Sequence, residues 1–198
     1  MYLRIKRLLD FTLSLLAFIV FLPLLGVLAL IIKCTSPGPV LFKQKRVGIH
    51  KTIFTIYKFR TMRRDAPHDK ATHLLNDAKS YITPVGRFLR KSSLDELPQL
   101  VNIIKGEMAI VGPRPALYNQ YDLIAERDKY GANDVLPGLT GLAQVDGRDE
   151  LPIVEKAKRD GYYAQHISFG LDVKLIVRTF FSVIRFEGVV EGAREGKK

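Results

Sequence analysis

Residues Phe11 to Ile32 read FTLSLLAFIVFLPLLGVLALII, 22 positions without a charge. As a helix such a run extends about 33 Å, enough to cross the hydrocarbon of a bilayer. Arg4, Lys6 and Arg7 precede it in the manner of a signal peptide. The run is long for a signal, however, and no Ala-x-Ala-like site follows it, which argues against cleavage. Lys33, Lys43, Lys45, Arg46 and Lys51 follow the run, so both flanks are basic. Basic flanks stay on the cytoplasmic side, which puts both ends on one face. Pro23, at the middle, removes a backbone donor and clashes with the preceding turn, and Gly26 softens the next one. A re-entrant hairpin broken at Pro23 meets both conditions; a kinked spanning helix is the alternative.

Thr35-Ser36-Pro37-Gly38-Pro39 is a strong break, so residues 1–35 form the membrane element and 36–186 one further domain. Two short β-like runs, Val40 to Phe42 and Thr52 to Phe59, flank a polar turn through Gly48 and predict a hairpin. Arg63 to Ser80 reads as a polar loop. Its His68, Asp69, His73 and Asp77 match no metal-ligand spacing. Helices are expected over Val85–Lys91, Leu97–Lys105, Ala116–Tyr130 and Ile153–Gln165, with a brief strand at Met108–Val111 and a turn-rich stretch from Leu136 to Arg148. In the last helix, Asp172–Phe186, Val173, Val177, Phe180 and Ile184 share a stripe flanked by Lys174, Arg178 and Arg185. That pattern suits either a membrane interface or an ordinary core. Residues 187–198 read as a disordered tail. The fold class is therefore α/β (α+β): a mostly helical cytoplasmic domain with a small β-hairpin, a membrane helix-hairpin and interfacial amphipathic helices.

Lys and Arg number 31 against 20 Asp and Glu, a net charge of +11. Such an excess favours an anionic partner: nucleic acid, an anionic lipid leaflet or phosphorylated substrates. The basic residues are dispersed, and no aromatic-studded basic sheet or helix-turn-helix is evident, which argues against nucleic acid. The lone cysteine, Cys34, excludes an internal disulfide and reads as a buried or lipid-facing thiol.

Against this basic background, Ser92-Ser93-Leu94-Asp95-Glu96-Leu97-Pro98-Gln99-Leu100 places two carboxylates side by side. Ser93-x-x-Glu96 fits a capping box, with Asp95 complementing the helix dipole. That frame sets Pro98 inside the helix, whereas proline prefers the first helical position; a start near Leu97 instead leaves Asp95 and Glu96 in the approach turn, facing a ligand. A carboxylate at a helix start among cations suits phosphoryl transfer. Aspartate can attack phosphorus once the charges are neutralised, with Mg²⁺ bridging carboxylate and phosphate oxygens. Candidate cations are Lys58, Arg60, Arg87, Arg90, Arg114 and Arg148, of which Arg114 and Arg148 lie on rigid turns marked by Pro and Gly.

Tyr57-Lys58-Phe59-Arg60-Thr61-Met62, Ser93 to Leu100, Gly112-Pro113-Arg114-Pro115 and Pro137-Gly138-Leu139-Thr140-Gly141-Leu142-Ala143-Gln144-Val145 occur in one order. From Tyr2 to Phe186 the chain resembles the monotopic phosphoglycosyl transferases, a bacterial sugar transferase family, in their small form. The resemblance implies an enzyme of the cytoplasmic membrane, with its catalytic domain on the cytoplasmic face, moving a sugar phosphate from a UDP-sugar to polyprenyl phosphate and releasing UMP. It implies Asp95 as nucleophile and Mg²⁺ ligand, and Glu96 as general base or acceptor-positioning group. Lys58, Arg114, Arg148 and Asp160 are implied in support, as is a nucleotide-holding turn through Gly138, Thr140, Gly141 and Gln144. A homodimer is compatible with the resemblance. Relatives often carry Ser before the membrane-breaking proline, whereas Leu22 precedes Pro23 here. A non-catalytic membrane scaffold, with the carboxylates as a simple cap, is the other class to separate.

Overall fold

The computed structural model describes residues 2–67, 78–147 and 151–184. The candidate metal-like residues His68, Asp69, His73 and Asp77, the cation Arg148, and the tail from 187 lie outside them. Helix α1 (Tyr2–Thr35) is one unbroken helix through Pro23, not two separate arms. At 34 residues it extends about 51 Å. Lys6, Asp10, Ser14, Leu25, Leu28 and Ile32 form a single buried stripe at mostly three- and four-residue spacing. Around that stripe, Leu16, Ile19, Val20, Leu22, Val27 and Leu30 are exposed. Both ends of α1 rest on the same body: Arg7 donates to the Ile103 and Ile104 carbonyls at 2.7 and 3.1 Å, while Leu28 and Ile32 pack with Phe59 and Leu89.

Strands β1 (Leu41–Val47) and β2 (Ile53–Phe59) form the antiparallel hairpin that the sequence predicts, with Leu41 opposite Phe59 and Val47 opposite Ile53. After α2 (Ala78–Tyr81), α3 (Pro84–Lys91) starts at a Thr83 cap whose hydroxyl accepts the Gly86 N–H at 2.9 Å. A 3-10 helix, Leu94–Gln99, leads directly into α4 (Leu100–Lys105), which ends on Gly106 at φ 89°. Helix α4 packs along α1, and Ile103 and Met108 are wholly buried with Phe54, Ile56 and Leu100. Burial of each such side chain contributes about 1.5–3 kcal/mol.

The second sheet is a parallel pair: β3 (Ala109–Val111), the brief strand expected from sequence, beside β4 (Gly138–Thr140), which lies within the stretch read as turns. Helix α5 (Tyr121–Asp128) lies in the crossover between them and is shorter than the sequence suggests. Glycines permit the pairing: a Cβ at Gly138 would lie 2.1 Å from the Gly112 nitrogen, and one at Gly141 would lie 2.1 Å from the Gly112 carbonyl oxygen. The Gly-Pro-Arg-Pro and Pro-Gly-Leu-Thr-Gly motifs therefore lie backbone to backbone. Helices α6 (Leu142–Asp146), α7 (Ile153–Gln165) and α8 (Phe169–Ile184) complete a mostly helical fold with small sheets. In α8, Asp172 and Leu175 turn inward while Val173, Ile176, Val177, Phe180 and Phe181 are exposed, so its apolar stripe is not a core face.

Candidate functional site

One buried side chain sets the register of the site. Asn102 of α4 is fully buried, donates to the Thr55 carbonyl at 2.8 Å and to Glu107 at 2.6 Å, and accepts the Tyr57 N–H at 3.1 Å. It thereby joins α4 to β2. The 3-10 helix continues into α4, so this tie brings Lys58, near the end of β2, opposite Glu96. Lys58 Nζ donates to Glu96 Oε1 at 2.6 Å, and Arg114 Nη2, from the loop after β3, reaches the same oxygen at 3.1 Å.

The capping box does not form. Ser93 takes the left-handed conformation at φ 56°, its side chain makes no cap bond, and the Glu96 carboxylate goes to Lys58 and Arg114 instead. Nor does the helix wait for Leu97: Asp95 and Glu96 occupy the first turn of the 3-10 helix, with Pro98 inside it. The preference of proline for the first position, which favours a start near Leu97, holds for an α-helix; the tight 3-10 turn here accommodates the ring.

The two carboxylates differ sharply. Burial works to raise the pKa of Glu96, but Lys58 and Arg114 outweigh it and hold the group well below the usual carboxylate range. Asp95 is 9 % exposed, and no described residue hydrogen-bonds its carboxyl. Burial pushes it up to about 6; Lys58 opposes the rise, and the adjacent Glu96 charge adds to it. Burial likewise lowers the pKa of Lys58, against the pull of Glu96. The arrangement offers one anion held by two cations through Oε1, and beside it a carboxyl with a raised pKa and no hydrogen bond from a described residue.

The loop carrying Arg114 is clamped from behind. Arg127 Nη2 donates to the Arg114 carbonyl at 3.0 Å, and Arg46 Nη1 donates to the Pro115 carbonyl at 2.9 Å. Arg127 is itself held by Asp160 Oδ2 through Nε at 2.9 Å and Nη2 at 2.5 Å, the pair almost wholly buried. Among the described residues, Asp160 is thus joined to the carboxylate cluster through Arg127 and the Arg114 backbone. Arg60 points elsewhere, closing the break after α1 with bonds to the Ser36 and Pro37 carbonyls at 2.7 and 3.0 Å. Arg90 acts on Asp95 through its charge, and Arg87 is exposed on α3. Thr140 and Gln144 share a cavity of about 230 Å³ with Glu96, whereas Gly138 and Gly141 serve the strand contact. Asn102 and Arg127 are the residues that sequence reasoning missed. A lone amide in the apolar Leu-Val-Asn-Ile-Ile run was a usable signal for the first; nothing separated Arg127 from surface charge.

Among the described residues no three His, Cys, Asp or Glu side chains gather as a metal cage. Mg²⁺ does not need one, being held commonly by one or two carboxylates plus substrate phosphates. The unbonded Asp95 carboxyl fits that role. Glu96, occupied by two cations, fits it less well.

The family model described as Bacterial sugar transferase matches residues 1–186, and the chain belongs to that family of transferases. It is 43% identical over 188 residues to the UDP-glucose:undecaprenyl-phosphate glucose-1-phosphate transferase of Caulobacter vibrioides, covering 90% of this chain and 69% of the relative. It is 40% identical over 159 residues to the uncharacterized sugar transferase EpsL of Bacillus subtilis, covering 80% and 77%. The UDP-N-acetylgalactosamine-undecaprenyl-phosphate N-acetylgalactosaminephosphotransferase of Aeromonas hydrophila is 37% identical, with 92% of this chain matching 44% of that longer protein. The apolar α1, whose best window has a mean hydropathy of 3.1, fits membrane association.

Proposed function

We propose that this protein transfers a sugar phosphate from a UDP-sugar to undecaprenyl or another polyprenyl phosphate, by way of a phosphosugar ester on Asp95. The observation that carries the reading is the buried Asp95 carboxyl, unbonded to any described residue and flanked by Lys58, Arg90 and Arg114. The names of the relatives supply the substrate classes.

In the first step an Asp95 oxygen attacks the phosphorus bearing the sugar. The bond from that phosphorus to the bridging oxygen breaks, and UMP departs with the electron pair. In the second, an oxygen of polyprenyl phosphate attacks the same phosphorus and expels the Asp95 carboxylate, leaving a polyprenyl diphosphate sugar. Lys58 and Arg114 stabilise the negative charge on the transferring oxygens. Mg²⁺, when bound by Asp95 and the diphosphate, would supply further charge neutralisation. Between the two roles implied for Glu96, its depressed pKa favours positioning: a carboxylate this weakly basic orients Lys58 and Arg114 better than it accepts a proton. Asp160 supports the site through Arg127 rather than by touching substrate.

The membrane reading follows from α1 and α8. A body that contacts both ends of α1 is hard to reconcile with a helix delivering those ends to opposite sides of a bilayer. We therefore place α1 in one leaflet of the cytoplasmic membrane, with the exposed apolar row of α8 at the interface and the basic faces toward anionic lipid. The nucleic-acid and scaffold alternatives are not favoured, because the family is one of transferases. The test is a rapid-mix assay with UDP-sugar, Mg²⁺ and no acceptor. A UMP burst approaching one per enzyme supports the ester; UMP release only once polyprenyl phosphate is added would overturn it.

A further inference from the structure

The cavity beside Glu96 has more to say than its residue types suggest. It lies between β4, α6 and α8, and half of its lining side chains are nominally polar. Part of their hydrogen-bonding capacity is spent. The Thr140 and Thr179 hydroxyls bond each other at 2.5 Å, and Thr179 also donates to the Leu175 carbonyl at 2.7 Å. Gln144 Nε2 donates to the Leu139 carbonyl at 3.1 Å, while its Oε1 is buried without a hydrogen-bond partner among the described residues. What these residues offer an occupant is mostly methyl and methylene surface. Leu97, Leu139, Val145, Ile176 and Val183 supply the rest of the wall.

A nucleotide base needs in-plane partners or an aromatic platform. No ring lines this cavity, and the Gln144 amide nitrogen is already engaged. A hydrocarbon occupant is matched instead by the continuous aliphatic wall of Leu97, Ile110, Leu139, Val145, Ile176 and Val183, with Gln144 Oε1 the one buried acceptor it leaves unpaired. Two features narrow it further. One end of the cavity is Glu96, joined to Lys58 and Arg114, which suits an anionic head next to the chain. At the other side Ile176 both lines the cavity and is 40% exposed, beside Val173, Val177 and Phe180 on the outer face of α8. The cavity therefore runs from the charged cluster to an apolar outer surface.

We propose that this cavity is the subsite for the first isoprenyl units of the acceptor, seating the chain next to its phosphate while the remainder continues into lipid. The inference rests on the acceptor assigned under the proposed function. It also turns the Thr140–Gln144 segment, which the family resemblance allots to the nucleotide, into a wall for the lipid.

Two experiments test it. A polyprenyl phosphate analogue carrying a diazirine on its first isoprene is irradiated with the wild-type enzyme in nanodiscs, and the label is mapped by mass spectrometry. Label on Leu139, Val145, Ile176 or Val183, competed by unlabelled polyprenyl phosphate, is the expected result. Label confined to α1 overturns the subsite, as does label competed equally well by plain phospholipid, which would mean a bilayer acyl chain. In the second, Ile176→Trp fills the mouth. Acceptor KM should rise about tenfold or more while UDP-sugar KM moves far less. A larger effect on UDP-sugar KM or on the UMP burst would assign the cavity to the nucleotide and overturn the proposal, as would no effect on either. Failure of the broader reading looks different: the wild-type enzyme would then give no acceptor-independent UMP burst at all.

Discussion

Two buried ionic clusters lie near β3, and they are finished to different degrees. At the foot of α1, Lys6 Nζ meets Asp172 at 2.8 Å and Asp10 at 3.4 Å. Tyr2 and Tyr163 hydroxyls donate to the two Asp172 oxygens at 2.7 Å each, and the Ile110 N–H reaches Asp10 at 3.2 Å. Every carboxylate oxygen there has a donor. At the other cluster Glu96 takes both of its cationic donors on Oε1, and its neighbour Asp95 is buried with no hydrogen bond from a described residue. A satisfied buried network ties elements together, here α1 to α8, α7 and β3. An unsatisfied carboxyl costs stability and is retained where chemistry needs it.

The largest expected effect separates the clusters outright. Asp95→Asn should lower turnover at least about a thousandfold while making the fold more stable. The sign follows from its raised pKa: ionising Asp95 is harder in the folded chain, so the penalty is full above about pH 6 and vanishes below the ordinary carboxylate pKa. Denaturant titration at pH 7.5 should show the variant up to about 3 kcal/mol more stable, with the gap closing by pH 4. Lys6→Met should do the reverse. It leaves Asp10 and Asp172 without their cation and should cost about 3 kcal/mol or more in the same titration, with activity falling through loss of folded enzyme.

Glu96→Gln should lower turnover by about ten- to a hundredfold, less than the Asp95 change, because it loosens the hold on Lys58 and Arg114 without removing the nucleophile. Taking away the Glu96 charge also removes something that raises the pKa of Asp95. The acid limb of the rate profile should therefore survive and move to lower pH; disappearance of a limb would instead mark Glu96 as the titrating base. Smallest is the pH effect in the unmodified enzyme. The UMP burst should be about tenfold slower at pH 5 than at pH 7, following the ionised fraction of Asp95.

Much of this was legible along the chain and some was not. The β1–β2 hairpin, α3 and α7 follow from local patterns of apolar spacing, turns and caps, whereas the grouping of the Lys58, Asp95–Glu96 and Arg114 motifs rests on the family resemblance. The 3-10 turn at Leu94–Gln99 was misjudged because Pro98 was weighed against α-helical geometry alone. The parallel β3–β4 pair was hidden, since three-residue strands far apart in sequence leave no periodic signal and only glycines at 112, 138 and 141 mark their contact. The resemblance implies Asp160 as a supporting residue, and its carboxylate is paired with Arg127, a partnership that only the packing of α5 on α7 reveals. The buried stripe of α1 was masked by an apolar run in which every position looks alike.

The measurement closest to the central claim is intact-protein and peptide mass spectrometry of enzyme quenched after mixing with UDP-sugar and Mg²⁺ alone. A mass increase of one phosphosugar, mapping to Asp95 and absent in Asp95→Asn, is the predicted result. An adduct on Glu96, or full turnover with no adduct on either carboxylate, would contradict it.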